Sequence, residues 1–275
     1  MDTNLSEKNR EIFQTMPDSF FAGEIPSRKK KWYYPAAAAA ILVPLLAWGV
    51  SLLQKTGPIS AEPLAQVSYY VDRGVKGQVT LSDGTQVNLN SGSTLTVTGD
   101  RSVFLDGEGW FDVRSDKDNP FIVETPSGIS VKVTGTQFNL SNYKEEEFKV
   151  LLVKGSIELD GTAPGVPSKL SPSQQVTVKK GSATAGVRDL QQQKSETAWK
   201  EGVLVFEDKP LSEAIPMLER WYGVRFNVMG LDLMKERITG EFDTETIQDV
   251  MNVLSLTHHF FYNINGKEIT IALRK

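Results

Sequence analysis

The stretch Val79-Thr80-Leu81-Ser82-Asp83-Gly84-Thr85-Gln86-Val87-Asn88-Leu89-Asn90 decides how the chain is read. Apolar and polar residues alternate on both sides of Asp83-Gly84, the period of a strand with one buried face. Asp-Gly suits a tight reversal, so a β-hairpin with a two-residue type of turn is expected. Similar short runs recur at 95–97, 103–105, 110–113, 121–124, 129–133, 138–140, 148–153, 157–159 and 176–178. Residues 65–185 therefore read as an all-β region, a sandwich, roll or barrel. Pro164, Pro167 and Pro172 keep the loop near its end from joining a continuous strand.

Beyond a linker at 186–202 the period changes. Leu211, Ala214, Ile215, Leu218, Trp221 and Tyr222 form a helical stripe, with Pro210 suited to the first turn and Gly223 to the stop. A second helix, capped by Asp243 or Thr244, would bury Ile247, Val250, Met251 and Leu254. Strands are expected at 203–206, 224–228, 237–242, 260–264 and 268–273, the last two joined at Asn265-Gly266. Residues 203–275 thus form a β-α-β-β-α-β-β domain. Its small open sheet, with helices on one face, leaves edges free for a partner. Leu204, Phe206, Trp221 and Tyr222 are the candidate partner-binding residues there.

The N-terminal side is different again. No charged residue occurs at 36–53, and 18 residues at about 1.5 Å each span roughly 27 Å, close to a hydrocarbon core. Trp32, Tyr33 and Tyr34 precede this run, and Arg28, Lys29, Lys30 and Lys31 precede them. The expectation is a transmembrane helix with its aromatic belt at 32–54, the N-terminus in the cytoplasm and the rest across the membrane. A cleaved signal peptide ending near Ile59-Ser60-Ala61 is the competing reading. Residues 1–31 are a short cytoplasmic stub. Within it Leu5, Ile12, Phe13 and Met16 share one face of a helix ended by Pro17, either a partner-binding helix or a frayed tail.

Composition narrows the chemistry. A net charge of −4 and a pI near 5.4 argue against direct nucleic-acid binding by phosphate neutralisation. There is no cysteine, and the two histidines, His258 and His259, are neighbours that would point to opposite faces of an extended chain. Asp83, Glu108 and Asp112 are expected at turns and strand edges, with no base beside them. No catalytic residue, metal or cofactor is expected.

Five groups of residues, taken in order, carry a family resemblance. After 79–90 come Leu105-Asp106-Gly107-Glu108-Gly109-Trp110-Phe111-Asp112-Val113 and Pro120-Phe121-Ile122-Val123-Glu124-Thr125. Val133-Thr134-Gly135-Thr136-Gln137-Phe138-Asn139-Leu140 and Val153-Lys154-Gly155-Ser156-Ile157 follow. The run resembles the FecR-type transmembrane regulators, anti-sigma factors of extracytoplasmic-function sigma factors. Trp199-Lys200-Glu201-Gly202, Pro210-Leu211 and Leu218-Glu219-Arg220-Trp221-Tyr222-Gly223-Val224 look like the domain appended to this family in Bacteroidetes. That domain is similar to the short N-terminal domain of secretins and TonB-dependent transducers.

The resemblance implies an α+β chain overall: a single transmembrane helix, an all-β FecR domain, then the small β-α-β-β-α-β-β domain. It implies a protein of the inner membrane that receives a periplasmic signal from an outer-membrane TonB-dependent transducer and controls a sigma factor on the cytoplasmic side. Leu5, Ile12, Phe13 and Met16 become the sigma-binding candidates, although the family's cytoplasmic portion is usually longer than 31 residues. Some members break their backbone at a Gly-Thr bond by an N–O acyl shift, and Gly135-Thr136 occupies the matching motif. The plainer reading is a turn glycine before a strand threonine. A periplasmic scaffold or ligand-binding module without a sigma partner is the alternative function.

Overall fold

The computed structural model describes residues 66–274 apart from 145, 162–166, 182–184, 191–192 and 244. All of them fall in one unit, Pro63–Lys275. Strand accounts for 48% and helix for 17% of the described residues. This corrects the α+β fold class: the described part is mostly β, because the long central region contributes almost nothing but strands. Among the described residues no helix is long and apolar enough to cross a membrane. The expected transmembrane helix at 32–54 and the stub at 1–31 lie outside the described residues.

The central region runs through β1 (Ser68–Tyr70), β2 (Gly77–Thr80), β3 (Gln86–Leu89), β4 (Thr94–Gly99), β5 (Ser102–Asp112), β6 (Phe121–Glu124) and β7 (Ser130–Val133). It continues with β8 (Gln137–Asn142), β9 (Phe148–Lys154), β10 (Ile157–Asp160), β11 (Lys169–Leu170), β12 (Gln174–Val178) and β13 (Ala185–Asp189). All 13 connect into one branched hydrogen-bonded network, with the pairs β1–β4 and β2–β3 joining it at β5. The 11-residue β5 belongs to two sheets at once. Its first half pairs with β4 and, in parallel, with β6, while its second half pairs with β3 and β8. The switch falls at Asp106-Gly107, the last residue opposite β4 and the first opposite β8. Side chains alternate strictly along β5, so Val103, Leu105 and Phe111 enter the core between the sheets. Phe111 lies opposite Phe138 in register, with stacked rings 4.9 Å apart.

The opening hairpin forms with a longer connection than expected. Residues 81–85 separate β2 from β3, closed by Gly84 N donating to Leu81 O (2.9 Å) and Leu81 N donating to Thr85 O (2.9 Å). The Asp83 carboxylate organises the loop. It accepts from Thr85 N (2.9 Å) and Thr85 Oγ1 (2.8 Å) and pairs with Arg101 at 2.6 Å. A side chain that accepts three donors holds a five-residue loop where Asp-Gly alone suggests two.

The C-terminal part holds β14 (Leu204–Pro210), α1 (Leu211–Tyr222), β15 (Arg225–Met229), β16 (Arg237–Phe242), α2 (Ile247–Thr257), β17 (Phe260–Asn265) and β18 (Glu268–Leu273). The expected single sheet is two. β14 pairs with β16, and β15 and β17 flank β18, the first parallel and the second antiparallel. Leu211, Ala214, Ile215 and Leu218 of α1 and Val250, Met251 and Leu254 of α2 share one core with Leu204, Phe206, Ile269 and Ile271. Gly223 ends α1 with φ 64°. The cap of α2 is Thr246 rather than Asp243 or Thr244. Its backbone N donates to Asp249 Oδ2 (3.1 Å) and its Oγ1 accepts from Asp249 N (3.3 Å), a capping box.

Candidate functional site

Phe138 and Leu140 of β8 point into the core, so Asn139 between them must face outward. It is nevertheless only 3% exposed, because Trp199 covers it. Trp199 sits in a short helical turn, Ala198–Glu201, that ends at Gly202 with φ 88°. Its Nε1 donates to Asn139 Oδ1 at 3.1 Å, which fixes the amide so that Asn139 Nδ2 donates to Glu108 Oε1 at 2.9 Å. Asn90 Nδ2 donates to the other oxygen, Glu108 Oε2, at 2.7 Å. Two segments distant in sequence thus bond one carboxylate in the middle of β5, and a third, carrying Trp199, holds one of them in place. Glu108 is therefore neither at a turn nor at a strand edge.

Burial pushes the Glu108 carboxyl up, and the bonds from Asn139 and Asn90 only partly offset this. The negative charge of Glu196 raises it further and Arg220 lowers it, for a net upward shift. Glu108 and Glu196 line a cleft of about 400 Å³ between the outer face of the β region and α1. Across it, Arg220 of α1 forms an ion pair with Glu146 and lays its guanidinium 4.0 Å over the Tyr143 ring. Tyr143 OH in turn donates to Ser91 O at 3.0 Å. Lys76 sits 3.5 Å above the ring of Trp221, its ammonium pushed down by burial. Backbone also crosses the junction, with Gly74 N donating to Arg220 O at 2.8 Å. The C-terminal part is therefore held on the β region by an aromatic anchor, an ion pair and main-chain bonds.

The sequence-derived candidates fall elsewhere. Leu5, Ile12, Phe13 and Met16 lie outside the described residues. Leu204 and Phe206 are core residues, 3% and 1% exposed. Trp221 and Tyr222 pack against the same core, and Tyr222 OH donates to Glu245 O at 3.1 Å. Burial and the charges of Glu245 and Asp249 push the Tyr222 hydroxyl up to about 12. Exposed apolar residues of the C-terminal part lie instead at Val253 and Leu256 of α2 and on the outer face of its three-stranded sheet. There Met229, Ala272 and Phe261 stand side by side across β15, β18 and β17, and Leu231, just past β15, is also exposed. The signal was present in the adjacent pair Phe260-Phe261, since consecutive strand residues take opposite faces and only one can enter the core.

Gly135 has φ 149°, and a Cβ there would stand 2.7 Å from Ser115 Oγ and 2.9 Å from its Cα. Close backbone approach therefore requires glycine at this position. Thr136 is 3% exposed and its Oγ1 donates to Ser156 O at 2.9 Å, so the hydroxyl is engaged away from the preceding carbonyl. The purified chain is expected to run as one unbroken band on a denaturing gel. Two fragments joining at 135–136 would show that the hydroxyl leaves Ser156 and attacks. Among the described residues no group of three or more His, Asp or Glu is placed to hold a metal ion. His258 Nδ1 lies 3.6 Å from Glu236 Oε2.

Residues 68–158 match the family model described as FecR protein, and residues 203–271 match FecR, C-terminal. Crystal structures at 1.65 Å and 2.50 Å of a candidate anti-sigma factor from Parabacteroides distasonis ATCC 8503 share 32% identity with this chain. Each aligns with a TM-score of 0.68, covering 76% of this chain and 100% of the solved one. No curated protein matches. With both family segments in order and that identity across the whole solved relative, the chain belongs to the FecR family.

Proposed function

We propose that the protein is an anti-sigma regulator that holds a sigma factor of the extracytoplasmic-function class and receives its signal from a TonB-dependent transducer. The observation that carries the first half is the 32% identity with a candidate anti-sigma factor over all of that solved chain. The second half is supported by the apolar row Met229, Ala272 and Phe261, an exposed face of the kind that marks a protein contact. The uncharged stretch at 36–53 behind the basic residues 28–31 supports a location at the inner membrane, with the β-rich part in the periplasm.

Two measurements test this reading. The full chain should retain the co-encoded sigma factor in a pull-down, and Ile12→Asp with Phe13→Asp should abolish retention. Phe261→Asp should leave sigma retention intact while weakening binding of the transducer's signalling domain at least tenfold. It places a charge on an exposed face without touching the core. A full chain that never retains the sigma factor would shift the function to the alternative, a periplasmic ligand-binding module, which the 400 Å³ cleft favours.

A further inference from the structure

We propose that the free edge of β17 is a strand-addition site, along which an extended segment of a partner protein pairs with an apolar side chain against Phe261 and an acidic one against Arg274. The two-residue connection Gly266-Lys267 makes Asn265 and Glu268 a hydrogen-bonded pair. Alternation then turns the backbone groups of Phe261, Asn263 and Asn265 towards β18, a pattern that Arg274 N continues by donating to His259 O at 3.0 Å. The N–H and C=O groups of Phe260, Tyr262 and Ile264 face the other way, where no strand pairs with β17 among the described residues.

The other strands of the C-terminal part have guarded edges. β14 carries a bulge between Phe206 and Lys209 and ends at Pro210, and β16 contains Arg237 and Glu241. In β15, Arg225 N donates towards β18, to Lys267 O, so Phe226 N points away from that strand, and it is taken by Glu219 Oε1 at 2.8 Å. β17 has six residues in unbroken register with no charge, proline or bulge among them. Such devices are what keep a strand edge from pairing, so an edge without them is open. Phe261 stands exposed at this edge, at the end of the row that Met229 and Ala272 begin. Arg274 lies 4.7 Å over its ring, exposed and without an ion pair among the described residues. A free cation beside an exposed aromatic ring is complementary to an acidic residue next to an apolar one. A second copy of this chain fits less well. Antiparallel pairing of two β17 strands about Tyr262 or Asn263 sets Phe261 against an asparagine of the other copy, and pairing about Phe261 leaves only Phe260–Tyr262 in overlap. Taking the partner to be the transducer's signalling domain rests on the function proposed above.

Amide hydrogen exchange of the full chain, free and bound, tests the site. In the free chain Phe261 and Asn263 should be protected by β18 while Tyr262 and Ile264 exchange freely; slow exchange at the latter two would overturn the proposal by showing the edge covered. Binding of the transducer's signalling domain should slow Tyr262 and Ile264 at least about tenfold. A complex in which both amides exchange as in the free chain overturns strand addition and leaves the transducer reading intact. If that domain does not bind, the transducer reading fails and a seven-residue peptide decides the edge alone. The peptide alternates valine with threonine and ends in glutamate, so antiparallel addition sets a valine opposite Phe261 and the glutamate beside Arg274. Protection of Tyr262 and Ile264 by this peptide upholds the proposal, and its absence overturns it. Replacing the glutamate by lysine should weaken binding at least about tenfold, and Arg274→Glu, an exposed position, should reverse the preference. A preference that Arg274→Glu leaves unchanged overturns the proposed chemistry of the partner.

Discussion

Trp199→Ala is expected to lower the unfolding free energy by about 3–5 kcal/mol, the cost of truncating a buried large aromatic side chain. Two effects combine. The indole is only 6% exposed and fills the space between the outer face of β8 and the following chain, so its loss opens a void. The substitution also strands Asn139, itself 3% exposed, whose Oδ1 loses the indole donor, at about 1–3 kcal/mol for a buried polar atom left unsatisfied. Trp199→Phe keeps most of the packing but not the donor, so it should cost only about 1–3 kcal/mol. Urea unfolding of the full chain followed by circular dichroism would measure both variants. The C-terminal part should also begin to melt before the β region, because the side-chain ties that remain, such as Arg220 to Glu146 and Lys76 over Trp221, are partly solvated and the main-chain bond from Gly74 N to Arg220 O stands at the edge of the junction. A loss below about 1 kcal/mol for the Ala variant would mean that the junction does not depend on its anchor.

The network around Trp199 also marks the limit of what the sequence discloses. Alternation of apolar residues is local, and it is sufficient to locate the strands around Val87, Phe111 and Val150 and to say which side chains enter the core. The helical stripe of α1 and its stop at Gly223 are equally local. Glu108, Asn139 and Trp199 are not. Asn139 is 31 residues from Glu108 and 60 from Trp199, and nothing in their neighbours' spacing brings them together. An outward-facing Asn and a mid-strand Glu read as ordinary solvent-exposed residues until another segment is laid over them. Leu204 and Phe206 show the converse error. In a lone edge strand they suggest an exposed contact, but the two helices close over β14 and make them core. The division of the C-terminal strands into two sheets was hidden for the same reason, since element order is compatible with several pairings and the choice is made by packing.

Gly107→Ala should be the most damaging conservative change in the β region. Gly107 sits where β5 leaves one sheet for the other, with φ 133°, a conformation that side-chain-bearing residues rarely adopt. A Cβ at this point would lie 2.4 Å from Ser93 Oγ and 2.6 Å from Ser93 Cα. Because Cα is backbone, the clash cannot be relieved by a rotamer change. Ser93 is not free to retreat either, since its Oγ accepts from Glu108 N at 2.9 Å and it is fully buried. Backbone strain and overpacking each contribute about 1–3 kcal/mol, so the sum is about 2–6 kcal/mol. For a unit of this size that corresponds to a fall in Tm on the order of 10 °C. Adding Ser93→Gly removes the side-chain half of the clash, but the new methyl still meets the backbone of residue 93, and the hydrogen bond from Glu108 N is lost. The double variant should therefore recover only part of the stability. Differential scanning calorimetry of the single and double variants would decide the matter. If Gly107→Ala melts within about 2 °C of the wild type, β5 does not pass from sheet to sheet as closely against Ser93 as these distances require.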